Sequence, residues 1–162
     1  MMGLRMLVVA VVLLGSTAMQ GCGGTGVNFL DNFVDVVVEP VGRSFGAFGD
    51  KIRINVPKGA FSIDVTFLIT KILNLNPIID ILLDTVFDVR VNGGINQKNI
   101  TITLRYDRQT LPDPVLEDAL RIFRVVDGIR TLVPGSILNK SSQLVSAEVS
   151  DPNGTFVVGI LK

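Results

Sequence analysis

The sequence predicts a mainly β fold: an antiparallel β-sandwich of about seven to eight strands with one or two short helical turns, preceded by an N-terminal signal peptide. Apolar and polar residues alternate with a period of two through much of the chain after Phe45, the pattern of strands buried on one face. Turn-forming residues separate these runs, mostly at intervals of about 8 to 12 residues, which is typical of sandwiches. The 162 residues suffice for one core, and no internal repeat divides them.

The composition excludes several classes of protein. The chain has no His, so it has no Ser-His-Asp or Cys-His catalytic unit, no imidazole base and no His-ligated zinc. The 15 basic residues equal the 15 acidic ones, which leaves no basic surface for nucleic acid. A single Cys forms no internal disulfide. The mean hydropathy of +0.50 is high for a soluble domain and indicates a membrane-directed segment.

Residues 1–21 have the three regions of a secretory signal. Arg5 supplies the positive charge, residues 7–14 are uninterrupted apolar residues, and residues 15–18 are small or polar. A transmembrane helix needs about 20 apolar residues, and this run reaches only about half of that. We therefore expect a cleaved signal peptide and not a spanning anchor.

The only cysteine, Cys22, follows this signal directly. Met19-Gln20-Gly21-Cys22 resembles the lipobox of bacterial lipoproteins, although Leu is commoner than Met and Gln20 stands where a small residue is usual. The resemblance implies lipidation at Cys22 and a protein exported to the cell envelope and anchored in a membrane. Two or three acyl chains bury methylenes worth about 0.8 kcal/mol each, which is enough for durable anchoring. Gly23 after the cysteine predicts the outer membrane in a host with two membranes.

Residues 22–43 are predicted to form a tether and the segment that leads into the domain. The glycine-rich residues 23–26 favour a flexible tether. Residues 29–38 fit both a helical stripe and a β-branched strand, and Pro40 and Gly42 end the segment in either case.

The sandwich itself is expected at residues 44–162. Eight runs are predicted to be strands: 52–56, 65–71, 87–91, 100–104, 120–125, 129–133, 144–149 and 155–161. Asp127-Gly128 predicts a hairpin turn between the fifth and sixth of these runs.

Two short helical turns interrupt the strands. Asn76-Pro77 and Asp113-Pro114 each place a capping side chain before a proline at the first helical position. The first turn belongs to an insert, residues 73–83, that is unusually rich in aliphatic residues. Four of them share one face and form a possible interaction patch: Ile78, Ile79, Leu82 and Leu83. They either close one open end of the sandwich core or form a docking surface.

Several segments resemble zona-occludens/uncoordinated-type (ZU) domains and the related sandwiches of bacterial surface proteins. Residues 54–61 match the "v-P-x-G-A-hydrophobic" signature of these domains. Further matches follow in the family's order at residues 100–107, 120–124, 132–136, and 145–149 with 155–158. The likeness runs from about Ser44 to Gly159 and implies a sandwich that serves as a spacer or interaction module.

Self-cleaving relatives carry a His-Phe-Ser motif near the last strands, where this chain has Asn153-Gly154-Thr155-Phe156. We therefore expect no autoproteolysis and, more generally, no catalytic residues. Asp113, Glu117 and Asp118 cluster in the sequence and make a calcium site conceivable, but no D-x-D-x-D-G loop supports one. We expect helix capping and surface solvation from these residues, and neither a metal nor a cofactor.

Two functions remain open. The first is a non-catalytic envelope lipoprotein whose ZU-like sandwich has a structural or protein-interaction role, with a protein partner that the sequence does not identify. The alternative is a surface lipoprotein that binds a small ligand or glycan through loops such as 93–99 and 136–143. A shortage of aromatic residues, 6% of the chain, disfavours glycan stacking.

Overall fold

The computed structural model of the protein describes residues 28–30, 32–72, 85–111 and 113–161. These residues form twelve strands. In chain order the strands are β1 Asn28–Leu30, β2 Phe33–Val38, β3 Arg43–Ala47, β4 Ile52–Val56, β5 Val65–Lys71, β6 Phe87–Asn92, β7 Ile100–Arg105, β8 Leu120–Val126, β9 Ile129–Leu132, β10 Ile137–Asn139, β11 Leu144–Val149 and β12 Gly154–Ile160.

The strands form two antiparallel sheets. One has seven strands in the order β1-β2-β5-β6-β12-β8-β9, and the other has five in the order β10-β11-β7-β4-β3. A single hydrophobic core lies between them, to which both sheets contribute alternate residues. The edge of the Phe45 ring on β3 meets Phe67 on β5, with 5.5 Å between ring centroids. The predicted antiparallel β-sandwich is therefore confirmed.

The sequence pattern located most strands closely, and the alternation gives the reason. Ile52, Ile54 and Val56 of β4 are buried, while Arg53 and Asn55 between them are exposed. The Asp127-Gly128 hairpin is also confirmed, because both residues have positive φ angles, 50° and 76°, as a type I′ turn requires.

Twelve strands exceed the seven or eight expected. The segment that fitted both helix and strand, residues 29–38, is β: β1 pairs with β2, and β2 pairs with β5. Val34, Val36 and Val38 of β2 lie in the core. The two sheets thus include β2 and the start of β3 at Arg43, which precede residue 44.

Short 3-10 turns connect β7 to β8. The turn Pro114–Ala119 begins as predicted: the Asp113 side chain caps it by accepting a hydrogen bond from the backbone N–H of Val115 at 2.9 Å. A second turn, Arg108–Thr110, is capped in the same way by Asp107. The other predicted turn, at Asn76-Pro77, lies outside the described residues.

A smaller apolar cluster lies on the outer face of the seven-stranded sheet. Val86, Phe123, Val125 and Val157 form it, and Ile72 packs against it. We call these five residues the outer-face cluster.

Candidate functional site

The residues singled out in the sequence as lipidation site and interaction patch lie outside the described residues. They are Cys22, Ile78, Ile79, Leu82 and Leu83. The structure does describe where the chain leaves and returns around the aliphatic insert. The backbone N–H of Ile72 donates to the carbonyl of Val86 at 3.0 Å, and both residues belong to the outer-face cluster, not to the core between the sheets.

Tyr106, Arg108 and Glu117 form a polar cluster at the end of the sandwich opposite the Asp127-Gly128 turn. The buried Tyr106 hydroxyl donates to Glu117 Oε1 at 2.5 Å. Arg108 Nε donates to the same oxygen at 2.9 Å, and Arg108 Nη2 donates to the carbonyl of Lys140 at 2.9 Å. Glu117 is thus buried against Tyr106 and is not the solvated surface residue that we expected.

The protonation states of this cluster are fixed at neutral pH. Burial, followed by the hydrogen bond to Glu117, raises the pKa of Tyr106 to about 12. The hydrogen bond from Tyr106 is the main cause that lowers the pKa of Glu117, and Arg108 lowers it further. Neither group exchanges a proton near neutral pH, so the cluster fastens the 3-10 turns to the sandwich instead of supplying an acid or base.

The other predicted carboxylates are also engaged by protein groups. Asp113 caps a turn, and Asp118 lies 2.6 Å from the Lys140 ammonium. Asp88 on β6, a carboxylate outside that sequence cluster, accepts hydrogen bonds from Arg90 at 2.8 Å and from the Thr155 hydroxyl at 3.1 Å. Within the described residues, no three His, Cys, Asp or Glu side chains are grouped to hold a metal ion.

A concave site lies between the two sheets, where the β8–β9 hairpin faces β11. This space, which we call the β8–β9 cleft, has a volume of about 330 Å³. Its apolar lining includes Val126, Leu132, Val133 and Val149. Ligand and partner sites commonly combine such a lining with a few polar groups.

Arg124 and Asp151 supply the main polar pair of the cleft. Arg124 Nη2 lies 2.7 Å from Asp151 Oδ2 and also donates to the carbonyl of Asn153. Burial opposes ionisation of Asp151, but hydrogen bonds from Asn153 and the ion pair with Arg124 outweigh it and lower the pKa of Asp151. Sequence analysis missed this pair, because 27 residues separate its members and only the strand pairing brings them together.

Exposed aliphatic side chains lie on and next to the cleft, at the β8–β9 hairpin and at the start of β10. Ile129 is 69% exposed and Ile137 is 70% exposed, and Leu132 and Val126 are also exposed. Ile129 and Leu132 belong to β9, the edge strand of the seven-stranded sheet. An apolar surface of this kind, at the mouth of a cleft, is typical of protein-interaction sites.

The two loops considered for ligand binding, 93–99 and 136–143, contribute one residue each to a common depression. Asn99 and Ile137 line a depression of about 490 Å³ together with Thr101, Ser146 and Glu148. The Asn99 side-chain amide donates to Glu148 at 3.3 Å. Pro134 and Glu148 line both this depression and the β8–β9 cleft, so the two form one continuous concave surface.

Comparisons with known proteins assign no family. No protein-family model matches the chain, and neither does any curated protein. The ZU-like character of the sandwich therefore stays a prediction from the sequence. Among the described residues, no helix has the length and apolar character needed to cross a bilayer.

Proposed function

We propose that the protein is a non-catalytic lipoprotein of the cell envelope, anchored through Cys22, whose ZU-like sandwich has a structural or protein-interaction role. The observation that carries the interaction role is the β8–β9 cleft with its exposed aliphatic surroundings. Two isoleucines about 70% exposed, Ile129 and Ile137, lie beside it, and a partner that buried them fully would gain about 1.5–3 kcal/mol of binding free energy from each.

The sheet order supports a division between anchor and cleft. Strands β1 and β9 form opposite edges of the seven-stranded sheet. Six strand spacings of about 4.8 Å put these edges about 29 Å apart. Cys22 precedes β1 by six residues, a stretch that spans about 20 Å when fully extended. A lipid on Cys22 would therefore lie far from β9, which leaves the β9 side of the cleft accessible to a partner.

The anchor is tested by fractionation of cells that express the wild-type chain or Cys22→Ser. The wild type should appear in the membrane fraction as a shortened protein, and Cys22→Ser should accumulate as the uncut precursor. Identical size and location of the two proteins would contradict the lipoprotein assignment.

The interaction role is tested by photo-crosslinking in intact envelopes, with the crosslinking side chain at position 132. We expect discrete crosslinked products that disappear in Ile129→Asp, because Ile129 pairs with Val126 of the cleft lining. Val115→Asp is the matched control, because Val115 is 81% exposed and lies in the Pro114–Ala119 turn, away from the cleft. Products unaffected by Ile129→Asp would contradict a role of the cleft in partner binding.

The depression beside the cleft supports a second candidate function, the binding of a small ligand or glycan. Asn99, Thr101, Ser146 and Glu148 offer hydrogen-bonding groups there beside the aliphatic Ile137. Titration of the protein with a glycan library would favour this function if binding is lost in Asn99→Ala and kept in Ile129→Asp.

A further inference from the structure

Three exposed aliphatic side chains lie together at one end of the sandwich, on three different loops. Val41 is 64% exposed, Ile63 is 54% exposed and Ile95 is 82% exposed. They belong to the connections β2–β3, β4–β5 and β6–β7. Sequence analysis did not identify this group, because periodicity does not show which loops meet.

Hydrogen bonds hold these loops against one another. The Gly59 N–H donates to the carbonyl of Pro40 at 2.8 Å, and the Gln97 N–H donates to that of Ala60 at 2.8 Å. A Cβ atom placed on Gly94 would lie 3.5 Å from Cγ1 of Ile63. The three aliphatic residues thus stand on one connected surface, which we call the β2–β3 end.

Strand β1 enters the sheet from this same end. Asn28 pairs with Asp35 and Leu30 pairs with Phe33, so β1 begins, at Asn28, on the side of residues 36–38. Those three residues span about 10 Å up to the β2–β3 loop. Cys22 lies six positions before Asn28, a stretch that can extend about 20 Å, which is enough to reach the level of Val41.

We infer that the β2–β3 end is a membrane-contact surface, with Val41, Ile63 and Ile95 inserted into the headgroup region of the bilayer that holds the Cys22 lipid. This inference rests on the proposed lipid anchor. Exposed aliphatic side chains gain free energy by burial at the boundary between headgroups and acyl chains. The anchor raises the effective concentration of these side chains at the bilayer, so that even a small free energy of insertion favours contact.

Charged side chains of both signs lie at this end. The Lys98 ammonium donates to the carbonyl of Lys58 at 2.7 Å, which puts two lysines beside the loops that carry the aliphatic residues. Lysines there can pair with lipid phosphates. Glu39 and Asp64 lie on the β2–β3 and β4–β5 connections, so carboxylates accompany the lysines and the aliphatic side chains supply the main attraction.

The test compares two single-cysteine labels on the lipidated full-length protein in vesicles of phosphatidylethanolamine and phosphatidylglycerol. Ile95→Cys and Val115→Cys place an environment-sensitive fluorophore at positions of equal exposure, 82% and 81%, at opposite ends of the sandwich. We expect a blue shift and quenching by spin-labelled lipid at position 95 and neither at position 115. Adding Val41→Glu and Ile63→Glu should reduce the quenching at position 95.

Incorporation of a palmitate analogue at Cys22 is measured in the same preparation. Lipidated protein without quenching at position 95, or with equal quenching at both positions, overturns the membrane contact and leaves the anchor intact. If quenching at position 95 is unchanged by Val41→Glu and Ile63→Glu, the aliphatic side chains do not mediate the membrane contact. Absence of the palmitate label would show that Cys22 is not lipidated, and it would overturn both the anchor and the membrane contact that depends on it.

Discussion

Ile102 lies at the centre of the five-stranded sheet, and its truncation probes the core directly. The residue is fully buried on β7, opposite Ile54 of β4 on one side and Ala147 of β11 on the other. Ile102→Ala removes three carbon atoms, worth about 0.8 kcal/mol each, and leaves a cavity that the short Ala147 side chain does not fill. We expect a loss of about 3 kcal/mol in the free energy of unfolding.

Thr103→Ala, one residue further along the strand, is the matched control. Thr103 faces away from the core, and its hydroxyl lies 2.9 Å from that of Ser146, so its loss should cost about 1 kcal/mol or less. Urea denaturation of both variants gives the free energies. In a domain of about 150 residues, about 3 kcal/mol corresponds to a fall in Tm of about 6–12 °C. Equal losses for the two variants would refute the assignment of alternate residues to core and surface.

Three further predictions follow from the polar cluster and the aliphatic insert. The pKa of Glu117 is lowered in the folded state. The stability that Glu117 contributes is therefore present above its usual pKa and is lost as the pH falls through its folded-state pKa. Glu117→Gln should reduce this loss of unfolding free energy at acidic pH, as measured by denaturation curves. The pKa of Tyr106 is raised to about 12, so stability should be constant below about pH 10 and fall between about pH 10 and 12, and Tyr106→Phe should remove that fall. Ile79→Asp and Leu82→Asp should lower Tm if the insert packs on the domain, because each buries an unpaired charge; an unchanged Tm with loss of partner capture would identify a docking patch.

The predictable part of the fold is the part where hydrophobic periodicity is strong. Strands β5 and β7 alternate over six or seven residues, and their bounds follow from the sequence. Strand β3 was missed because Ser44 and Gly46 leave only Phe45 and Ala47 as an inward pattern. Strand β10 has three residues at a sheet edge, too few for a period to show.

The candidate sites depend on contacts between distant segments, so the sequence predicted them less well. Glu117 was noticed only as part of an acidic cluster, whereas its partner Tyr106 is 11 residues away. Tyr106 is the single tyrosine of the chain, and a lone buried hydroxyl needs a partner, which was the one available signal. The Arg124–Asp151 pair and the β2–β3 end follow only from the strand order.

The proposed function depends on a lipid at Cys22, which the intact mass of the mature protein purified from membranes would reveal. We expect a chain that begins at Cys22 and carries the added mass of two or three acyl chains. A chain that begins at any other residue, or an unmodified Cys22, would contradict the account.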